Sequence, residues 1–144
     1  MGIALHECFG SVVGQVAQVS RTPAGLKLDK VFCAVDCGLA VNPNIVEMQL
    51  QSAIGFGLSA ALSGAITYKD GRVEQSNFHD YPVVRMKQMP KIDVHILSTG
   101  AERPSGIGEP GTPVIAPALA NAIAATGSKP IRTLPFSASG VELV

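Results

Sequence analysis

The chain has 144 residues, enough for one ordinary domain with a substantial core. It is 47% hydrophobic and 15% charged, which excludes disordered and fibrous classes; a free-standing soluble domain usually carries about a quarter charged residues, so much of this surface is expected to be covered. Eleven basic residues balance eleven acidic ones with no basic cluster, and electrostatic binding to nucleic acid or anionic lipid is excluded as a function.

The opening stretch, Met1-Gly-Ile-Ala-Leu-His-Glu7, has no basic region and no long apolar core, and is not read as an export signal. Gly10 to Ser20 is β-branched and short of charge, which predicts a strand. Arg21 to Gly25 follows as a turn, with Pro23 and Gly25 supplying the restricted and the permissive dihedrals. Leu26 to Asp36 returns as a second strand. Its apolar run from Val31 to Val35 fits a strand covered on both faces.

Asp36 to Pro43 is a loop that leads into a helix, with Asn42 as N-cap and Pro43 as first helical residue. The helix runs to about Ser63 and stops at Gly64. Glu47 is its only charge, and a helix this apolar on all sides is expected to be buried. Gly55, Gly57, Ser52 and Ser59 are poor helix formers that suit close approach of another backbone or a flat ligand. The apolar run from Ser52 to Ala65 is too short, and too rich in Gly and Ser, to predict a membrane span.

Ala65–Lys69 and Arg72–Gln75 flank Asp70-Gly71, a two-residue hairpin signal. Asn77 to Pro90 reads as irregular or edge-like. Lys91 to Leu97 alternates, with Ile92, Val94 and Ile96 inward and Lys91, Asp93 and His95 outward. Thr99 to Thr112 is the longest loop. A final helix runs to about Thr126 with Gly127 as its stop, starting either at Thr112-Pro113 or at Pro117. Ile131 to Phe136 closes as a short strand or extended tail. No linker divides residues 1–144, and the order predicts one two-layer α+β domain with a mixed or antiparallel sheet and two main helices.

The chemistry concentrates in Ser105-Gly-Ile-Gly-Glu-Pro-Gly-Thr112. Gly106, Gly108 and Gly111 formally satisfy GxGxxG, but Pro110 interrupts the pattern and no acidic residue follows at dinucleotide-binding distance. What remains is a glycine-rich turn holding one carboxylate, Glu109, ahead of a helix. On residue types alone, a surface glutamate favoured by the helix dipole is the commoner reading of such a turn, and a site residue the sharper one. His6, His79 and His95 lack metal-ligand spacing, and Cys8, Cys33 and Cys37 read as small thiols, the last two buried. Asp36 reads equally as a strand-end site residue or as a turn former. Gln49 and Gln51 are two apart on a helix and cannot share a face. A polar ligand or an intradomain hydrogen bond would satisfy either.

The run Asp36-Cys-Gly-Leu-Ala-Val-Asn-Pro-Asn-Ile-Val-Glu-Met-Gln49, followed by Ala53 and Gly57-Leu58, resembles the D-x-G-x-x-x-NP…Q…GA…GLG stretch of molybdenum hydroxylases. Gly108-Glu-Pro-Gly111 is similar to their GE-P turn. The order of these motifs resembles the molybdopterin-binding large subunit of the xanthine dehydrogenase/aldehyde oxidase family. His6-Glu-Cys-Phe-Gly-Ser11, Val16-Ala17 and Leu134-Pro135 look most like the isoquinoline 1-oxidoreductase-type β subunits.

The resemblance implies that residues 1–144 are the C-terminal segment of a molybdenum-cofactor-binding domain. It implies an enzyme that oxidises an N-heterocycle or an aldehyde with water-derived oxygen, and is inactive as this chain alone. Glu109 would take the proton from a molybdenum-bound hydroxyl. Gln49 would hydrogen-bond the pterin, and Gly106 and Gly108 would let the loop pass close to the metal, to which the chain itself contributes no ligand. The implied cofactor is molybdopterin, in its cytosine dinucleotide form, with molybdenum. The implied partners are the remainder of the large subunit, a small subunit carrying [2Fe–2S] clusters and a small-molecule substrate. Cytoplasm and periplasm are both compatible. Ser52 and Phe56 depart from the glycine and glutamine usual in xanthine oxidases. The alternative is a non-catalytic α+β remnant or interaction module.

Overall fold

The computed structural model describes residues 1–144. In chain order the elements are β1 (Gly2–Cys8), β2 (Ser11–Thr22), β3 (Gly25–Asp36), α1 (Pro43–Leu62), β4 (Tyr68–Lys69), β5 (Arg72–Val73), β6 (Lys91–Ile96) and α2 (Thr112–Ala124). β1, β2 and β3 form an antiparallel meander, and β6 adds parallel to β3, so the sheet order is β1-β2-β3-β6. The expected mixed sheet with two helices is present. α2 lies over β1 and β2 and packs on α1, which reaches β6.

Period-two alternation selects the covered face. Val13, Gln15 and Ala17 of β2 and Val31, Cys33 and Val35 of β3 point into the core. Leu50, Ile54 and Leu58 of α1 and Ile115, Leu119 and Ile123 of α2 meet them. The aromatic that plugs the core is Phe136, on a short 3₁₀ turn over Phe136–Ser139.

Several expectations need correction. β1 was missed: its outward residues Ile3 and Leu5 are apolar yet exposed, so it shows no polar-out alternation. β3 is covered on one face only, because Phe32 and Ala34 are exposed between its buried residues. α1 is not buried all round either, as Ile45, Met48 and Phe56 face outward. Of the two readings of Ile131 to Phe136, the tail holds and the strand does not; Pro130 and Pro135 bring no backbone donor to a ladder. By length and hydropathy the 20-residue α1 could cross a bilayer, contrary to the expectation from Ser52–Ala65, but its fully buried Leu50, Ile54 and Leu58 make it a core helix here.

The local signals for helix ends and turns hold. Asn42 Oδ1 accepts from the Ile45 amide at 3.2 Å, with Pro43 first in the helix. α2 starts at Thr112, leaving Pro117 inside it on the exposed side, and Gly127 after it has φ 87°. Asp70 (φ 49°) and Gly71 (φ 75°) turn the β4–β5 hairpin in the left-handed region that two-residue turns require.

Candidate active site

The Gly-rich loop is tied down at its start by two neighbouring segments. The Leu39 amide donates to Arg103 O at 3.0 Å and the Ser105 amide to Cys37 O at 2.9 Å. Asp36 resolves as a turn former, its Oδ1 accepting from the Gly38 amide (3.0 Å) and from Thr99 Oγ1 (3.2 Å). The β1–β2 turn grips the next residue. Gly106 donates its amide to Phe9 O at 3.0 Å, and Ser11 Oγ donates to Gly106 O at 2.6 Å while contacting Ser105 Oγ at 2.8 Å.

The far end of the loop is set by close helix packing. A Cβ on Gly57 would lie 2.5 Å from Thr112 O, and one on Gly111 would lie 2.9 Å from Leu50 Cδ2 and 3.0 Å from Ala53 Cβ. The start of α2 therefore rests directly on α1. At Gly57 the close neighbour is another backbone rather than a ligand, and at Gly55 it is the Met89 side chain. Ser59 turns its hydroxyl to Gly55 O at 3.0 Å and accepts from the Val84 amide at 3.1 Å.

Where the loop becomes α2, a cavity of about 680 Å³ opens. One wall is α1, through Ser52, Ala53 and Phe56. β1 and its turn line the cavity through His6, Cys8 and Phe9. Gly108, Glu109, Thr112 and Pro113 complete it. Glu109 is exposed at this cavity, three residues before Thr112, whose amide donates to Glu109 O at 2.9 Å. The free amides of a helix start favour negative charge nearby. Phe9 takes φ 54°, a left-handed conformation that costs a bulky residue about 1–2 kcal/mol.

The residues singled out from the sequence divide. Glu109 and Gly108 share the cavity, and a Cβ on Gly108 would meet nothing within 4 Å. Gly106 stands apart from the cavity lining and packs instead on Phe9, whose Cβ would be 2.6 Å from an added methyl. Gln49 is exposed on α1, one turn before Ser52 and Ala53 and on the same stripe. Gln51 faces elsewhere and donates to Glu47 Oε1 at 3.0 Å. Ser52 and Phe56, the two departures from the resembled pattern, both line the cavity.

Sequence reasoning missed His6, Cys8 and Phe9 as wall residues because it missed β1. The available signal was Phe9-Gly10, a turn pair between two β-prone runs. It also passed over Gln15, a fully buried amide on β2. The buried thiols behave as read: burial pushes Cys33 up to about 11, opposed by the adjacent Gln15 amide. Cys37 is also raised, by burial and then by the Asp36 charge. No three metal-ligating side chains converge.

Residues 8–90 match the molybdopterin cofactor-binding domain family, and the chain belongs to that family. It is 36% identical over 138 residues to the isoquinoline 1-oxidoreductase subunit beta of Brevundimonas diminuta, covering 94% of this chain and 18% of that protein. It is 33% identical over 131 residues to the membrane-bound aldehyde dehydrogenase [pyrroloquinoline-quinone] of Gluconacetobacter polyoxogenes, covering 91% of this chain and 15% of that one. In fold it is similar to quinoline 2-oxidoreductase from Pseudomonas putida 86, with a TM-score of 0.74 and 24% identity over 88% of this chain and 17% of that one. The chain thus spans less than a fifth of the length of these relatives.

Proposed function

We propose that this chain forms part of the catalytic large subunit of a molybdenum hydroxylase, with Glu109 as general base. The observation that carries the reading is the placement of Glu109: a carboxylate exposed at a cavity of about 680 Å³, beside an unobstructed glycine and a helix start. The volume is of the order that small-ligand and cofactor sites occupy. Gly108 leaves a backbone surface free of side chain, and Glu109, Ser52, Thr112 and His6 bring polar groups to a cavity whose apolar lining includes Phe9, Phe56 and Ala53. This mix of hydrogen-bond donors and acceptors fits one edge of a polar, flat cofactor such as molybdopterin in its cytosine dinucleotide form.

The cofactor, when bound, supplies the two-electron oxidant for inserting oxygen from water into a C–H bond of an N-heterocycle or aldehyde. The chain's own residues do the rest of the local work. Glu109 accepts at its carboxylate the proton of the attacking, water-derived oxygen. Gln49 offers its exposed amide to the pterin from the α1 stripe, and Gly108 admits the cofactor's edge. Phe9 and Phe56 keep water from the walls. [2Fe–2S] clusters on a partner subunit would take up the electrons, and the rest of the large subunit would cover the apolar outer faces of the sheet and of α1.

The test is Glu109→Gln in the complete enzyme. Turnover is expected to fall on the order of 10²–10⁴-fold, the usual contribution of a general base, at unchanged molybdenum content. Retained turnover would sink the assignment. Analysis of the purified enzyme for molybdenum, pterin and released cytidine nucleotide checks the cofactor; a quinone without molybdenum would overturn that part.

A further inference from the structure

Gln15 stands in the middle of β2, fully buried between the apolar Val13 and Ala17. Its Nε2 donates to Gly111 O at 2.8 Å, while its Oε1 is buried with no hydrogen-bond partner. An apolar side chain at this place would avoid that unsatisfied oxygen altogether, so packing does not explain the amide. What the amide does reach is the carbonyl at the N-cap of α2, two residues beyond Glu109 and joined to it through Pro110. Gly111 has no side chain with which to cap the helix, and it is pressed against Leu50 and Ala53.

The loop thus has two anchors on the same hairpin. Gly106 is held by Phe9 and Ser11 of the β1–β2 turn, and Gly111 by Gln15 further along β2. Glu109 lies on the short span between them. We propose that Gln15 is a positioning residue that sets the placement of the Glu109 carboxylate by fixing Gly111 from beneath. Cys33 is its paired neighbour on β3 and is buried beside the amide. The proposal rests on the reading of Glu109 as base and names the buried residue that serves it.

The test uses the complete holoenzyme with Gln15→Met, which keeps length and removes the donor, and Gln15→Asn, which keeps the amide but withdraws it by one methylene. Expected is a fall in kcat per molybdenum on the order of 10²-fold, as a misplacement of about 1 Å produces. KM should change far less, and the pH profile of kcat should shift on the limb that Glu109→Gln removes. Amide hydrogen exchange at Thr112, whose amide donates to Glu109 O, should quicken while β2 and β3 stay protected. In a Glu109→Gln background, Gln15→Met should add little further loss.

Normal kcat per molybdenum with an unshifted profile in either Gln15 variant overturns the proposal while leaving Glu109 in place. Failure of both variants to assemble overturns it too, since Gln15 would then serve folding. High activity in Glu109→Gln sinks the base reading itself, whatever Gln15 does.

Discussion

Gly57 and Gly111 set the distance between α1 and the start of α2. A methyl at Gly57 meets Thr112 O and Ile115 Cγ2 at 2.5 and 2.6 Å, both parts of the packed start of α2. Gly57→Ala should therefore cost about 1–3 kcal/mol of stability, as overpacking does, read as a lowered midpoint in denaturant. Gly108→Ala meets open space and should leave the midpoint nearly unchanged, so any loss of turnover there belongs to the site. The cysteines separate by burial. Burial holds Cys33 up at about 11 and also raises Cys37, and both thiols are buried, so at pH 8 thiolate reagents should label the partly exposed Cys8 and spare Cys33 and Cys37 until the chain unfolds. Mass spectrometry of the alkylated native protein checks this.

At the scale of elements, α1 depends on its start. Asn42 satisfies an amide that the first turn leaves without a partner, a contact that contributes about 1 kcal/mol at such a position. The β1–β2 turn carries a conflict between stability and site. Phe9 holds a left-handed conformation that glycine adopts freely, yet its side chain forms a cavity wall and its carbonyl holds Gly106. Phe9→Gly should raise stability by about 1 kcal/mol and lower turnover, so thermal melts and kcat should move in opposite directions. A parallel fall in both would remove the idea that the turn trades strain for a wall.

The whole molecule presents apolar surface on two sides. Ile3, Val16 and Phe32 line up in one row across the outer sheet face, and Ile45, Met48 and Phe56 mark the outer side of α1. Such patches on a soluble chain mark covered surfaces or association hazards. The isolated 144-residue chain is expected to retain neither molybdenum nor pterin after purification. Metal analysis and pterin fluorescence check that outcome.

Much of the architecture was written locally. Asn42-Pro43, Asp70-Gly71 and Gly127 mark ends and turns because each acts on the backbone within a few residues of itself, and β6 showed its alternation plainly. Glu109 stood out for the same reason, in a turn whose Gly and Pro residues are local features. β1, the exposed half of α1 and the role of Gln15 were not legible. Each depends on which distant segment lies opposite, and neither periodicity nor residue type records that. The sequence by itself determined most of the elements and the family resemblance, and singled out Glu109 as a candidate. Only the tertiary structure decided that β1 and its Phe9 turn share a cavity with that glutamate, and that a buried amide on β2 bonds the end of its loop, because those contacts join residues about a hundred positions apart.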